Sequence, residues 1–194
     1  MPKMPARCGH GRHVLQMPGL RLQTPTTWDR ELMMAAASDA QAQRWLGWSH
    51  RDLVPEWRRE RLMAGKPQQA RVPWRPDSRL SRWLIAVGPE DGRLAGAAAY
   101  DQDTGEIGGW LAPRSRGLGL GASLFAGVAE FAHHHLGVAS VTAGTEPGNV
   151  ACIAALASAG FIPAPGPATH TLPGGRVIPA LWFRHEVARP SLCR

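Results

Sequence analysis

Apolar and polar positions recur along the chain with two periods, and these periods predict the order of its elements. Alternation over residues 20–23 predicts a first strand. Helical spacing then places Leu32 and Ala36 on one helix, and a second helical stretch carries Trp45 and Trp48. The fold is therefore expected to begin as one strand followed by two helices.

The middle of the chain predicts three strands. Residues 83–87 and 94–100 are apolar runs joined by a segment rich in Gly, Pro and Asp, which is typical of a hairpin. Residues 106–111 follow a second polar turn and predict a third strand. Together they predict an antiparallel run.

The last part of the chain alternates helices with strands. Apolar residues recur at helical spacing over residues 120–131, and a strand is predicted over 138–145. Asn149 suits the N-cap of another helix, which precedes strands near residue 161 and over 177–184. This order of elements indicates an α/β chain of the α+β type.

Length and composition indicate one globular domain. The chain has 194 residues, of which 44% are hydrophobic. No apolar run approaches the roughly 18 residues that a membrane span needs, and the first residues lack the apolar core of a signal peptide, so we expect a cytoplasmic protein without membrane contact. Cys8, Cys152 and Cys193 form no close pair, which argues against a disulfide framework or a zinc ribbon.

The first residues predict a flexible basic leader over 1–18, because they contain prolines and basic side chains but no acidic one. Cys8, His10 and His13 lie within it, but a structural zinc needs four ligands and no fourth follows nearby. The expected organisation is this leader, one domain over 19–188, and a tail over 189–194, with no metal site.

The net charge of +7 admits two interpretations. Residues 58–82 carry eight basic residues against two acidic ones, which suits nucleic-acid binding because Lys and Arg neutralise phosphates. The same excess of positive charge suits an anionic cofactor. The motifs that follow favour the cofactor over nucleic acid.

A glycine-rich loop over residues 116–121, with the sequence RGLGLG, leads from the third strand of the antiparallel run into a helix. Such a turn presents backbone N–H groups at the positive end of a helix dipole, which binds pyrophosphate with few charged side chains. Gly117, Gly119 and Ala122 also fit the dinucleotide-binding fingerprint, with Glu146 near the spacing of its ribose-binding acid. That fingerprint opens a βαβ series directly after a strand, so the antiparallel context disfavours it.

Two motifs give the chain its resemblance to the GNAT superfamily of N-acetyltransferases. The cofactor motif of that family, [QR]-x-x-G-x-[GA], is matched by Arg116, Gly119 and Gly121. The second motif lies in a helix after a strand and is matched by Asn149 and the Gly-Phe pair at 160–161, with Cys152 at its small-residue position. The resemblance covers about residues 19–186, and it is strongest to the branch of ribosomal-protein N-terminal acetyltransferases.

The resemblance implies a GNAT fold and a site for acetyl-CoA. The expected sheet is mixed and mostly antiparallel, with about six or seven strands, about four flanking helices and a splay between the fourth and fifth strands. The pantetheine arm would lie in the splay against unpaired backbone groups at residues 110–112, where an N–H near Leu111 would stabilise the oxyanion. The cofactor-binding residues that the resemblance implies are Trp110, Leu111, Ala112, Arg116, Gly117, Leu118, Gly119, Leu120, Gly121, Ala122, Asn149 and Cys152.

The catalytic groups are less defined by the sequence. Glu106 is the candidate general base, although a glutamate beside a turn is also common on protein surfaces. Many relatives have a tyrosine seven residues after the motif asparagine as the acid for the leaving thiolate, and this chain has Leu156 there. Cys152 is interpreted as a packing residue and not as a nucleophile, and Asn149 would contact the cofactor, cap its helix, or do both.

The predicted reaction is transfer of the acetyl group of acetyl-CoA to a primary amine, by direct attack in a ternary complex. A protein N-terminus and a small amine are both open as acceptors. The assembly is also open, and a homodimer is possible.

Three tryptophans would border the acceptor cleft or belong to the core, namely Trp45, Trp48 and Trp57. The histidines at 133–135 predict a solvated helix end. The alternatives are a non-catalytic acyl-CoA-binding module and a nucleic-acid-binding protein that uses residues 58–82.

Overall fold

The computed structural model of the chain describes residues 13–26, 29–64 and 82–187. Its helices are α1 (Asp29–Ala37), α2 (Ala40–Leu46), α3 (Glu56–Met63), α4 (Leu120–His135) and α5 (Val150–Ser158). Its strands are β1 (Val14–Met17), β2 (Leu20–Gln23), β3 (Trp83–Val87), β4 (Leu94–Tyr100), β5 (Ile107–Leu111), β6 (Ser140–Thr145), β7 (Ile162–Ala164), β8 (Thr169–Thr171), β9 (Val177–Pro179) and β10 (Leu181–Glu186).

The strands form two main sheets and a hairpin. Strands β1 to β5 make an antiparallel sheet in chain order, β6, β10 and β7 make a second antiparallel sheet, and β8 pairs with β9. The described strands are more numerous than the six or seven expected, because the C-terminal part contains short additional strands. The predicted α/β fold class, with mostly antiparallel pairing, is confirmed.

The two main sheets meet at one point and then separate. An isolated parallel bridge joins Glu106 to Thr142, and the Thr142 amide donates to the Gly105 carbonyl oxygen at 3.1 Å. Beyond this bridge β5 and β6 belong to different sheets, so the edge of β5 is left open. The predicted fourth and fifth strands, over 106–111 and 138–145, correspond to β5 and β6. The splay expected between them is therefore present.

Hydrophobic residues cover both faces of the first sheet. On one face, Leu22, Leu84 and Ile107 join a core with α4 and α5. On the other, Ile85 and Trp110 join a core with α1. Because successive strand residues point to opposite faces, Trp110 faces α1 while its neighbour Leu111 packs on the α4 side. The sheet thus separates an α1–α2 face from an α4–α5 face.

The predicted leader over residues 1–18 is wrong at its C-terminal end. Residues 14–17 form β1, which pairs with β2, and Leu15 is 7% exposed. A tight turn makes this pairing feasible, since Gly19 has a φ of 71° that other residues rarely adopt. Residues 1–12, with Cys8 and His10, and residues 188–194 lie outside the described part of the chain.

Two further predictions are corrected in the helices. Trp48 is not part of the helix that carries Trp45, because Gly47 adopts a left-handed conformation at φ 56° and ends α2 after Leu46. His133 does not lie at a solvated helix end. It is 8% exposed, and its ring nitrogens contact the Val138 carbonyl oxygen at 2.6 Å and the His185 ring at 2.9 Å.

The segment over 177–184 was expected as one strand but forms β9 and β10, which are separated at Ala180. The Ala180 amide donates to the Ala168 carbonyl oxygen at 3.0 Å, so it is bonded outside the ladder of β10. Of the basic segment over 58–82, the structure describes residues 58–64 and Arg82, while 65–81 lie outside the described part. No helix among the described residues has the length and apolar composition required to cross a membrane.

Candidate functional site

The loop before α4 has the geometry expected of an anion site. Gly117 and Gly119 have φ values of 73° and 74°, and Gly119 is the N-cap of α4. A Cβ at either position would meet no heavy atom within 4 Å, so glycine is required there by backbone conformation and not by crowding. The loop is exposed, and the first amides of a helix have no partner within it. These N–H groups and the helix dipole together favour a bound anion.

Gly121 serves a different purpose from the two loop glycines. A Cβ at Gly121 would lie 2.9 Å from the Cβ of Ala155, so its absence lets α4 approach α5 closely. The loop and the helix of the second sequence motif are thereby held side by side.

Of the three predicted residues 110–112, only Leu111 directs its backbone groups toward the open edge of β5. The Ala112 amide donates to the Ala95 carbonyl oxygen at 2.8 Å, so the backbone groups of Ala112 point toward β4. In an antiparallel ladder alternate residues direct their backbone groups to the same side, so those of Trp110 also point toward β4. The backbone groups of Leu111 therefore point into the splay, where its carbonyl oxygen accepts a hydrogen bond from Nε of Arg116 at 2.9 Å. The prediction of unpaired backbone groups at Trp110 and Ala112 is wrong, because both belong to the ladder with β4.

A cavity of about 290 Å³ lies beside the open edge of β5, between α2, α4 and α5. Of the predicted cofactor-binding residues, Ala112, Leu118, Gly119, Leu120 and Ala122 do not line it. The cavity is lined by Gln41, Ala42, Trp45, Leu46, Gly109, Trp110, Leu111, Arg116, Gly117, Gly121, Leu124, Phe125, Asn149, Ala151, Cys152 and Ala155. Because Trp110 and Leu111 lie on opposite faces of the sheet, the cavity reaches from the α4–α5 face toward α2.

The residues of both sequence motifs meet in this cavity. Asn149 is the N-cap of α5, and its Oδ1 accepts from the Cys152 amide at 3.2 Å. In the described part of the chain its Nδ2 group makes no hydrogen bond, so a donor is left over for a ligand. Helix capping and a ligand contact are thus compatible at Asn149.

A family model of the acetyltransferase (GNAT) domain matches residues 19–162. The chain belongs to the GNAT acetyltransferase family. The cosubstrate of this family is acetyl-CoA, as the motifs predicted. No curated protein sequence matches the chain.

Solved GNAT structures share the fold at low sequence identity. A ribosomal-protein-S5-alanine acetyltransferase from Vibrio fischeri has a TM-score of 0.63 at 13% identity, with 90% of this chain and 96% of that chain covered. A spermidine N-acetyltransferase from Vibrio cholerae, solved with CoA and spermine, has a TM-score of 0.62 at 11% identity, covering 87% of this chain and 96% of its own. An aminoglycoside acetyltransferase solved with coenzyme A and kanamycin has a TM-score of 0.55 at 19% identity, with coverages of 86% and 94%.

Cys152 has the environment of a packing residue within this GNAT site. Burial raises the pKa of its thiol, and the opposing effect of a hydrogen bond with Thr145 is smaller. A raised thiol pKa lowers the thiolate fraction at neutral pH, which argues against a nucleophilic role. Cys152 contacts the core beneath the cavity.

Glu106 lies at the closed end of the splay and does not line the cavity. Burial raises the pKa of its carboxyl group, the charge of His170 lowers it, and Asp101 raises it again, with a raised pKa as the result. Glu106, Gly108 and Trp110 share one face of β5, since they are alternate strand residues. A Cβ at Gly108 would meet no heavy atom within 4 Å, so the strand surface between Glu106 and Trp110 is open.

No tyrosine of the described chain is placed to act as the acid for a thiolate. Leu156 occupies the family's tyrosine position and is fully buried, and Tyr100 is 8% exposed at the end of β4 within the core. Trp110 is also notable, because its indole N–H is buried and has no hydrogen-bond partner among the described residues. That donor lies in a residue that lines the cavity.

Most of the cavity wall that α2 provides carries no signal in the sequence. Gln41, Ala42 and Leu46 line the cavity beside Trp45, the one residue of this helix that was named. Asp39 was missed as well, although it binds Arg116 from the N-cap of α2. No local signal marks Asp39 beyond its suitability as a helix cap, because its partner is 77 residues away.

Proposed function

We propose that the chain transfers the acetyl group of acetyl-CoA to a primary amine by direct attack within a ternary complex. The observation that carries this proposal is the cavity beside the open edge of β5, which is lined by residues of both GNAT motifs and by Leu111, whose amide points away from β4. Family membership supports acetyl-CoA as the donor. The substrate and the catalytic residues are inferred from the geometry.

The cofactor is proposed to lie along three groups. Backbone amides of residues 117–121 bind the pyrophosphate at the N-terminus of α4. The Nδ2 group of Asn149 donates to the pantetheine arm. The Leu111 amide points into the splay and donates to the thioester carbonyl oxygen, where charge develops during attack.

The reaction then needs one base and one source of a proton. The amine nitrogen attacks the thioester carbon, a C–N bond forms, the C–S bond breaks, and CoA leaves as the thiolate. Glu106 takes the proton of the amine, through water over the open surface at Gly108, because it does not itself reach the cavity. Its raised pKa makes the carboxylate a stronger base. Water protonates the thiolate, since Leu156 and Tyr100 are buried.

The acceptor is proposed to carry a single positive charge. Among the described residues that line the cavity there is no carboxylate, and the one charged side chain is that of Arg116. A polyamine or an aminoglycoside carries several positive charges that such a wall would not neutralise. A protein N-terminus or a small monoamine suits it better. A carbonyl oxygen next to that amine would also give the buried indole N–H of Trp110 a partner.

The experiment is isothermal titration with acetyl-CoA, followed by a CoA-release assay with an alanine-initiated peptide amide, spermidine and kanamycin. We expect binding of acetyl-CoA, and faster CoA release with the peptide than with either polycation. Absence of acetyl-CoA binding would contradict the proposal. Equal release with all three amines would contradict the acceptor class alone.

A non-catalytic acyl-CoA-binding module is the second candidate. It is favoured by the distance of Glu106 from the cavity lining and by Leu156 at the family's tyrosine position. Acetyl-CoA binding without CoA release across the amine panel would select it. Nucleic-acid binding has less support, since Arg58 and Arg59 of the basic segment form ion pairs with Glu31 and Glu56.

A further inference from the structure

Each of the three guanidinium nitrogens of Arg116 donates a hydrogen bond within the protein. Its two terminal nitrogens donate to Asp39, from Nη1 to Oδ1 at 2.7 Å and from Nη2 to Oδ2 at 2.6 Å. Nη1 also donates to Oε1 of Gln41 at 3.1 Å, and Nε donates to the Leu111 carbonyl oxygen at 2.9 Å. The motif arginine therefore directs its side chain away from the phosphate loop and toward α2 and β5.

The pair of Asp39 and Arg116 is the least exposed ion pair in the described part of the chain, with side chains 14% and 21% exposed. Burial alone would raise the pKa of Asp39, but hydrogen bonds from Arg116 and from the amides of Ala42 and Gln41 outweigh it and lower that pKa. The negative charge of Asp39 and the positive charge of the guanidinium compensate each other. Arg116 thus adds little net charge to the pyrophosphate site.

This pair connects three parts of the site. Asp39 is the N-cap of α2, whose residues Ala42 and Trp45 line the cavity. Arg116 precedes the loop glycines, and its Nε holds the carbonyl oxygen of Leu111. A planar guanidinium with donors on two edges can make these bonds at once, whereas a lysine ammonium cannot reproduce the fork.

We propose that Asp39 is a positioning residue for acetyl transfer. Through Arg116 it fixes the peptide plane that follows Leu111 on the open edge of β5, and it sets the distance between the α2 wall and the phosphate loop. This inference rests on the proposed function, because the positioned groups are those that would meet the thioester and the amine. Asp39 itself touches neither substrate.

The central test is Asp39→Asn. Asparagine caps helices as well as aspartate does, so α2 keeps its cap while the charged fork is lost. We expect kcat/KM for the peptide amine to fall about 10-fold or more, the range for a lost hydrogen bond between charged groups. The acetyl-CoA Kd should stay within about 3-fold of wild type, because backbone amides bind the phosphates. The matched control is Glu56→Gln, which removes the carboxylate of an exposed pair with Arg59.

Arg116→Lys extends the test to the other partner. If the two residues act as one unit, the double variant should lose about as much kcat/KM as either single variant. Additive losses would overturn the proposal. So would kinetics unchanged from wild type with only a lower midpoint of urea unfolding, which is the result for a merely structural pair.

Hydrogen exchange separates this proposal from the proposed function. In peptides that span residues 107–116, Asp39→Asn and Arg116→Lys should both exchange faster than wild type, while Glu56→Gln should not. Unchanged exchange would overturn the positioning role even if the enzyme is active. A wild-type protein that releases no CoA with any amine would instead contradict the proposed function, whatever the exchange result.

Discussion

At the scale of single residues, the glycines of the site have different physical tasks. Gly117 and Gly119 supply left-handed backbone conformations in open space, while Gly121 permits close packing of α4 on α5. Gly108 has neither constraint and leaves a strand surface bare. Glycine stands at each of these positions in the sequence, but a side chain at each would have a different consequence.

Gly119→Val tests the pyrophosphate site. Valine is disfavoured at a φ of 74° and would change the loop whose amides are proposed to bind phosphate. We expect acetyl-CoA affinity to fall at least about 10-fold by isothermal titration, the loss of a charge-assisted hydrogen bond or more.

The control for this variant is Gly137→Val at the other end of α4. Gly137 has a φ of 72°. As at Gly119, a Cβ at this position would meet no heavy atom within 4 Å. Both variants should lose stability to a similar degree, about 1–2 kcal/mol for a left-handed residue. Equal acetyl-CoA affinity in the two variants would contradict the placement of the pyrophosphate.

Glu106→Gln tests the proposed base. Burial raises the pKa of Glu106, so the acidic limb of the wild-type kcat/KM profile should have its midpoint above the ordinary value of a glutamate. Glutamine should lower kcat about 100-fold or more and flatten that limb, with acetyl-CoA affinity unchanged. Asp103→Asn, in an exposed turn close by, is the control. An unaltered limb in Glu106→Gln would assign the residue a structural role.

At the scale of elements, α4 has two ends with opposite properties. Its N-terminus is open to solvent at the glycine loop, where unpaired amides favour an anion. Its C-terminus is packed: His133 is buried against His185, and His13 contacts Phe131 and His135 with ring centroids 4.9 and 4.5 Å away. The C-terminal end of α4 therefore packs against the rest of the fold, while its N-terminal end forms part of the candidate site.

The histidines at the packed end should make stability depend on pH. Burial, with His133 as a smaller cause, lowers the pKa of His185, so the unfolded chain binds more protons below its own pKa of about 6.5. Stability should be constant above that pH and fall as the pH drops through it, with burial of His13 and His135 acting in the same direction. Urea unfolding at pH 7.5 and 5.5 measures this.

His185→Gln should reduce that loss, because glutamine does not titrate and can still donate to the ring of His133. His134→Gln, at an exposed position of the same helix end, should leave the loss nearly as in wild type. The interpretation fails if the two variants respond to acid alike.

At the scale of the whole molecule, the splay joins two surfaces that the first sheet otherwise separates. Leu111 packs on the α4–α5 side, while Trp110 and Gly108 lie on the α1–α2 side. A cofactor bound at the N-terminus of α4 can pass between β5 and β6 and present its thioester to an amine that arrives from the other side. The two substrates are thus expected to depend on different residues.

Gly108→Val tests this division of the molecule. The position is exposed and open, and valine is favourable in strands, so the fold should tolerate it. The added methyl groups would cover the surface between Glu106 and Trp110, and we expect kcat/KM for the peptide amine to fall at least about 10-fold. Acetyl-CoA affinity should stay near wild type, the reverse of Gly119→Val. Loss of cofactor affinity would show that both substrates share this face.

The sequence determined a large part of the fold, because its signals were local. Apolar runs between turn residues predicted β3, β4 and β5, helical spacing predicted α4, and the cap at Asn149 predicted α5, all near their observed bounds. Two short motifs identified the GNAT family. Prediction from the sequence failed where a contact between residues far apart in the chain decides the structure. Residues 14–17 look like part of a basic leader, yet they form a strand because β2 offers a partner and Gly19 permits the turn.

For the site, the sequence determined which loop adopts a conformation suited to an anion and which asparagine caps the neighbouring helix, since backbone conformation and capping depend on nearby residues. Only the tertiary structure decided that Leu111, and neither Trp110 nor Ala112, directs its backbone groups away from β4, that α2 forms a wall of the cavity, and that Arg116 is neutralised by Asp39. Those features depend on strand pairing and on contacts between residues far apart in the chain. The glycine-rich loop could thus be recognised from its local sequence, but the direction of the Arg116 side chain could not.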